Sequence, residues 1–157
     1  MNAKDQTLNG IELDKFHHRL SGRVKTFEVD RQNIVHNIIY LYWLEEARVE
    51  YVRALGIPMD ERTFIDTYRF VLAKTEINYI APALFDSHYE VLTRISHIGI
   101  SSFIFDQLIL SIPDNRLLLT AQSVLVQLHP ITHESMPIDN AYRALVGSFE
   151  QLDFMQG

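Results

Sequence analysis

The sequence predicts an α+β domain in which one antiparallel sheet of about five strands curls around a single long helix. Three observations predict it. A run from about His36 to Leu55 contains no Gly or Pro and stops at Gly56. Four β-rich segments then follow one another with only short turns between them. Short connections force neighbouring strands to pair antiparallel, because a parallel pair needs a long crossover.

The chain's 157 residues are enough for one domain with its own core. Hydrophobic residues make up 47% and charged residues 22%, so the chain can bury enough apolar surface to fold. Cys is absent, which excludes a disulfide scaffold, a thiolate nucleophile and any Cys-based metal site. Fourteen Lys and Arg stand against 20 Asp and Glu, a formal net charge of −6. With no basic stripe to offset it, that charge argues against a nucleic-acid partner. No apolar run is long enough to span a bilayer. Met1 to Gln6 lead into polar sequence without an apolar signal core, so a cytoplasmic protein is expected.

Residues 1–20 read as a polar N-terminal extension with one amphipathic turn around Ile11, Leu13, Phe16 and Leu20. The β-branched bias of Arg23 to Val29 predicts a strand, interrupted by the polar Asp30-Arg31-Gln32-Asn33. The helix over about 36–55 ends with Gly56 and then Pro58, the usual C-terminal punctuation. Trp43, Leu44, Ala47, Tyr51, Ala54 and Leu55 form its apolar face, with Glu46, Glu50 and Arg53 opposite. Ile38, Tyr42 and Val49 lie off that stripe, so the helix is expected to bury more than one side.

Tyr68 to Ile80 is β-rich and closes at Ala81-Pro82-Ala83. Residues 88–98 alternate, with Tyr89, Val91, Thr93 and Ile95 on one face. Ser101 to Ile112 follows Gly99, and Pro113-Asp114-Asn115 supplies the next turn. Arg116 to Leu128 is apolar on both faces, and Ile138 to Leu152 predicts a final helix with Asp139 near its start. Residues 1–157 thus form one unit: an extension over 1–20, a core over 23–130 and a terminal helix over 138–152. The sheet's far face is expected to stay partly apolar and to meet a partner, at least a second copy of the chain.

His129 and His133 are four apart, but Pro130 between them argues against a helical metal pair, and no metal site is expected. Tyr40, Tyr42, Trp43 and Tyr51 fit core or interface positions, and Glu45, Glu46 and Glu50 fit a solvated helix face.

Phe27-Glu28-Val29-Asp30, Ile34-Val35-His36-Asn37, Tyr40 and the helix containing Glu45-Glu46-Ala47-Arg48 resemble the hotdog-fold acyl-CoA thioesterases of the 4-hydroxybenzoyl-CoA thioesterase type. That family carries a D-x-D-x-x-G-x-V pattern, an N/H-N-x-x-Y motif and a long helix with E-x-A-R. Ile77-Asn78-Tyr79-Ile80-Ala81-Pro82-Ala83 with Asp86, Tyr89 and Val91 resembles its later strand pair. The resemblance covers about residues 23–130 and implies a sheet wrapped round a helix, working as a dimer or a dimer of dimers.

By the same resemblance, Asp30 is the catalytic carboxylate, either as nucleophile or as general base on water; read without it, Asp30 caps the helix or a turn. Glu28 takes the place of the first acid. The N–H that polarises the thioester carbonyl falls at or next to Asn37, expected in the helix's first turn, where free N–H groups favour developing negative charge. His36 either assists or stands half-exposed beside the helix start, and Ile34, Val35 and Tyr40 contact the substrate. Ser101 and Ser102 either line a pantetheine channel or are ordinary turn serines. No cofactor is implied, since coenzyme A enters as part of the substrate. An acyl-CoA or acyl-carrier-protein thioester is the expected ligand, and Arg31, Lys74, Arg94 and Arg116 are candidate phosphate contacts.

The family's small residues after the catalytic Asp are here Arg31-Gln32-Asn33. That departure keeps a second reading open, a hotdog protein that binds acyl thioesters without hydrolysing them. A hotdog dehydratase ranks last, because its H-F-P-G type of motif is absent.

Overall fold

The structure, a computed structural model, describes residues 7–155. Two short strands, β1 (Thr7–Leu8) and β2 (Ile11–Glu12), pair as a hairpin. The main sheet contains β3 (His18–Arg23), β4 (Phe70–Tyr79), β5 (His88–Ile98), β6 (Ser102–Ile112) and β7 (Leu117–Gln127). Their order is β3-β5-β6-β7-β4, antiparallel throughout. The chain crosses from edge strand β3 to the opposite edge strand β4 through the long helix α1 (Ile39–Ala54). A second helix, α2 (Asn140–Glu150), closes the fold.

One face of the sheet carries both helices. Trp43, Leu44 and Ala47 of α1 pack on Val91, Ile109, Leu119 and Ala121. Further along α1, Tyr51, Val52 and Leu55 join Ile95, Phe103 and Phe105 with Tyr142 and Val146 of α2. Burying each such side chain contributes about 1.5–3 kcal/mol, so this face dominates the core. Asp139 is the α2 N-cap, accepting from the Tyr142 N–H at 2.7 Å.

The other face departs from expectation. Successive strand residues point to opposite sides, so Leu92, Leu108 and Leu110 face away from α1. Leu13 and Phe16 cover them together with Leu117. The apolar outer surface is therefore closed in part by the chain's own N-terminal segment.

Four local expectations are also corrected. The first strand is His18–Arg23, and 24–29 instead contain a 3₁₀ turn at Thr26–Glu28. Leu20 belongs to that strand, while the expected N-terminal turn is a 3₁₀ turn at Leu13–Lys15. As an edge strand with one half-buried face, His18–Arg23 lacks the apolar signature of a central one. The helix begins at Ile39, because Ile39 N donates to His36 O and closes a tighter turn over 36–39. Ala54 is exposed, and so are Ile38, Leu41 and Tyr42, leaving α1 with one buried side within a single chain.

Candidate active site

The segment leading into α1 doubles back on itself. Val29 and Val35 form a bridge, Asp30 N donates to Ile34 O at 2.9 Å, and Asn33 N donates to Asp30 O at 3.0 Å. Asn33 adopts a positive φ of 64°, which Asn tolerates better than most residues. Asp30 sits at the base of this turn, half-buried. Its Oδ1 accepts from Gln32 N at 2.7 Å and from Ile34 N at 3.4 Å. Among the described residues Oδ2 has no hydrogen-bond partner, which leaves one carboxylate oxygen available for chemistry.

Glu28, two residues earlier, does a different job. It is buried, accepting from Trp43 Nε1 at 3.1 Å and from Lys25 N at 2.8 Å. Its carbonyl accepts from His36 N at 3.0 Å. Glu28 therefore anchors the catalytic-loop candidate to α1.

Past the turn, Ile34 bridges Leu84 and Val35 N donates to Ala83 O, pinning the loop to the chain after β4. Tyr40 is buried, and its hydroxyl accepts from Ala83 N at 3.0 Å. Burial pushes the Tyr40 phenol above its ordinary value, against the Ala83 N–H, so it stays neutral. The Tyr79 hydroxyl donates to Asn37 O at 3.0 Å. Asn37 lies in the turn before the first helical residue, not within the first helical turn, because the His36–Ile39 bond delays the helix. Among the described residues, the N–H groups of Asn37 and Ile38 have no hydrogen-bond acceptor. Two adjacent free donors beside a helix start suit an oxygen gaining negative charge.

Ile34, Val35, Asn37 and Tyr40 line one groove of about 320 Å³, together with Tyr79, Ile80, Ala81 and Pro82. Four of the expected site residues are thus brought together. Asp30 does not itself line this groove; it adjoins Ile34, whose O accepts from Asp30 N and whose N donates to Asp30 Oδ1. His36 is exposed at the same turn. Ser101 and Ser102 lie elsewhere: Ser102 pairs with Val126, whereas Tyr79 pairs with Leu119 at the other end of β7. Within one chain they stand at the opposite end of the sheet from the groove.

Residues 24–145 match the sequence pattern of the Thioesterase-like superfamily. The chain belongs to that superfamily. It is 28% identical over 128 residues to the chloroplastic acyl-acyl carrier protein thioesterase ATL2 of Arabidopsis thaliana, covering 80% of this chain. The chain spans 61% of that relative's length. It is 26% identical over 129 residues to the acyl-CoA thioester hydrolase YbgC of Escherichia coli, covering 82% of this chain and 92% of that one. The crystal structure of a Thermus thermophilus thioesterase complexed with coenzyme A and Zn superposes with a TM-score of 0.76 at 23% identity. That match covers 88% of this chain and 97% of the other. The expected hotdog fold is borne out.

Within this thioesterase-like chain, the phosphate candidates separate by position. Arg31 is in the Asp30 turn and exposed. Lys74 is 3.1 Å from Glu76 on β4, Arg94 lies over the Phe16 ring, and Arg116 is 3.9 Å from Asp114. Only Arg31 stands beside the superfamily's expected carboxylate. Tyr79 was visible in the sequence as part of a strand motif, but its contact with Asn37 was not, since 42 residues separate them. Among the described residues, no group of three or more His, Cys, Asp or Glu is placed to hold a metal ion. No helix among them is long and apolar enough to cross a membrane.

Proposed function

We propose that this chain hydrolyses acyl thioesters in the groove at the start of α1. The observation that carries this reading is the free N–H pair at Asn37 and Ile38, a few residues on from the turn that leaves Oδ2 of Asp30 without a partner among the described residues. A thioester carbonyl is electrophilic because sulfur donates weakly into it. It needs an oriented attacker and donors for the oxygen that becomes anionic. The two N–H groups supply those donors, and one such donor is worth roughly 3–4 kcal/mol in the transition state.

Asp30 supplies the attack in one of two ways. Its Oδ2 adds to the carbonyl carbon, expels the thiolate and leaves a mixed anhydride that water opens. Alternatively it takes a proton from a water molecule that adds directly. Both routes consume one water and end in a carboxylic acid and a free thiol. His36, exposed in the same turn, is assigned to orient the attacking group. The relatives named for acyl-CoA and for acyl carrier protein support a phosphopantetheine thioester as the substrate class. Coenzyme A then belongs to the substrate and the reading assigns no cofactor; the cytoplasmic setting belongs to the same proposal.

A second copy of the chain is part of this reading. Edge strand β4 is 10 residues long and exposes Val71 and Leu72, and α1 exposes Leu41 and Tyr42. An open edge with apolar side chains is a template for pairing. We propose a homodimer, which two such dimers can extend to a tetramer. Light scattering during size-exclusion chromatography tests it, and a monomer at micromolar concentration would remove it.

The test of the activity is release of free thiol from saturated acyl-CoAs ranging from acetyl to palmitoyl, comparing the native chain with Asp30→Ala. Turnover by the native chain and a loss of at least about 100-fold in the variant are expected, in the range of general acid–base catalysis. Undamaged turnover in Asp30→Ala would remove the carboxylate from its role. The second reading, a non-hydrolytic binder, draws on the Oδ1 bonds that satisfy Asp30 within its own turn. Thermal stabilisation by acyl-CoA without any turnover would favour it.

A further inference from the structure

We infer that Tyr79 is a positioning residue for one of the two oxyanion donors, the Ile38 N–H, acting through the carbonyl of Asn37. The inference rests on the proposed hydrolysis and deepens it. The Tyr79 hydroxyl donates to Asn37 O at 3.0 Å, and both residues line the same groove. In a trans peptide the C=O and N–H point in opposite directions. Holding the Asn37 carbonyl on the β4 side therefore fixes the direction of the Ile38 N–H that shares its peptide plane.

The turn needs such a hold. Ile38, the N-cap of α1, makes no side-chain capping bond. Among the described residues, the 36–39 turn is closed by the single bond from Ile39 N to His36 O. Tyr79 is itself well placed to hold it. It is the last residue of β4 and is paired with Leu119, and its ring lies edge-on to the buried Tyr40 at a centroid distance of 5.8 Å. A hydroxyl bonded to a peptide carbonyl also polarises that peptide, which strengthens the N–H on its far side. The reward is largest when the bound oxygen is most negative, so the effect belongs to the transition state more than to substrate binding.

Tyr79→Phe tests this, because it keeps the ring and removes only the donor. The substrate is whichever acyl-CoA of the acetyl-to-palmitoyl panel turns over fastest. The expected result is a fall of about 3- to 10-fold in kcat, the range of one neutral hydrogen bond, with KM within about twofold and an unchanged melting temperature. Two inert ligands of matched chain length sharpen it: the S-alkyl-CoA thioether, and the ketone analogue with a carbonyl beside the sulfur-bearing methylene. The ketone, a neutral ground-state mimic, is expected to bind Tyr79→Phe at most about twofold more weakly, as KM does, and the thioether equally well. An unchanged kcat, or equal weakening of both ligands, overturns the positioning role while leaving Asp30 chemistry standing. Absence of turnover by the native chain, or full activity in Asp30→Ala, overturns the hydrolytic reading and this inference with it.

Discussion

The indole of Trp43 donates to the buried carboxylate of Glu28 at 3.1 Å while its ring stacks on Tyr89 at a centroid distance of 3.8 Å. One side chain thus joins the loop before α1, the helix itself and β5. The first acid of the resemblance motif is a structural anchor, and the second, Asp30, keeps an oxygen free.

Replacing Glu28 tests the anchor. Glu28→Ala strips acceptors from the Trp43 indole and the Lys25 N–H, and an orphaned buried donor costs about 1–3 kcal/mol. A loss of about 2–3 kcal/mol in urea unfolding is expected, with a smaller one for Glu28→Gln, which retains one acceptor oxygen. Equal losses from the two variants would show that packing, and not acceptance, holds the loop.

Gly22 tests the same region from the sheet side. A Cβ at this position runs into the ring of Tyr89, which already lies against Trp43. Gly22→Ala should cost about 1–3 kcal/mol by overpacking. In a Tyr89→Leu background the same change should be close to neutral, because the obstructing ring is gone. Melting temperatures of the four proteins in this cycle check it.

The helix and the four later strands were legible because each is bounded by Gly, Pro or Asn, whose backbone preferences act locally. β3 was not. His18–Arg23 pairs its residues with β5 but offers Leu20 as its one large aliphatic side chain, and Gly22 is there to admit Tyr89. The β-branched Val24, Thr26 and Val29 carry a strand signature beyond Arg23, where the chain instead forms a 3₁₀ turn. Ile34, Val35, Asn37 and Tyr40 are legible as one cluster because they are neighbours in sequence. Tyr79 carries no such local signal, because its hydrogen bond depends on how β4 returns to the helix start. Ser101 and Ser102 carry a turn signal, and nothing local to a turn says which end of the sheet it occupies.

Glu150 gives a pH dependence whose sign can be worked out. Its Oε1 accepts from the Tyr51 hydroxyl at 2.5 Å and from Ile95 N at 2.9 Å. Among the described residues its Oε2 has no hydrogen-bond partner, and the nearest cation candidate, His17 Nδ1, is 4.0 Å away. Burial lifts the carboxyl above its ordinary 4.5, outweighing the two donors and the charges of Arg94 and His17. The folded chain therefore holds this proton more tightly than the unfolded chain does. Its contribution is full below 4.5 and is lost as pH rises through the elevated value. Urea midpoints measured from about pH 4 to about pH 8 should fall less steeply in Glu150→Gln than in the native chain. Parallel curves would mean that the carboxyl titrates as an ordinary one.

Asn33 links backbone conformation to the chemistry of Asp30. Its φ of 64° lets the turn bring Gln32 N and Ile34 N onto Asp30 Oδ1. Gly adopts that conformation freely, whereas a β-branched side chain meets the left-handed penalty of about 1–2 kcal/mol. Because the turn is exposed, it can relieve the strain by opening, and opening releases the carboxylate from its two donors. Asn33→Gly is therefore expected to keep turnover within about twofold. Asn33→Val should lose about 10-fold or more in kcat while global stability drops by no more than about 2 kcal/mol. Stopped-flow thiol release beside urea unfolding separates the two effects. A kcat that tracks stability alone in both variants would show that the turn's conformation does not set the aim of Asp30.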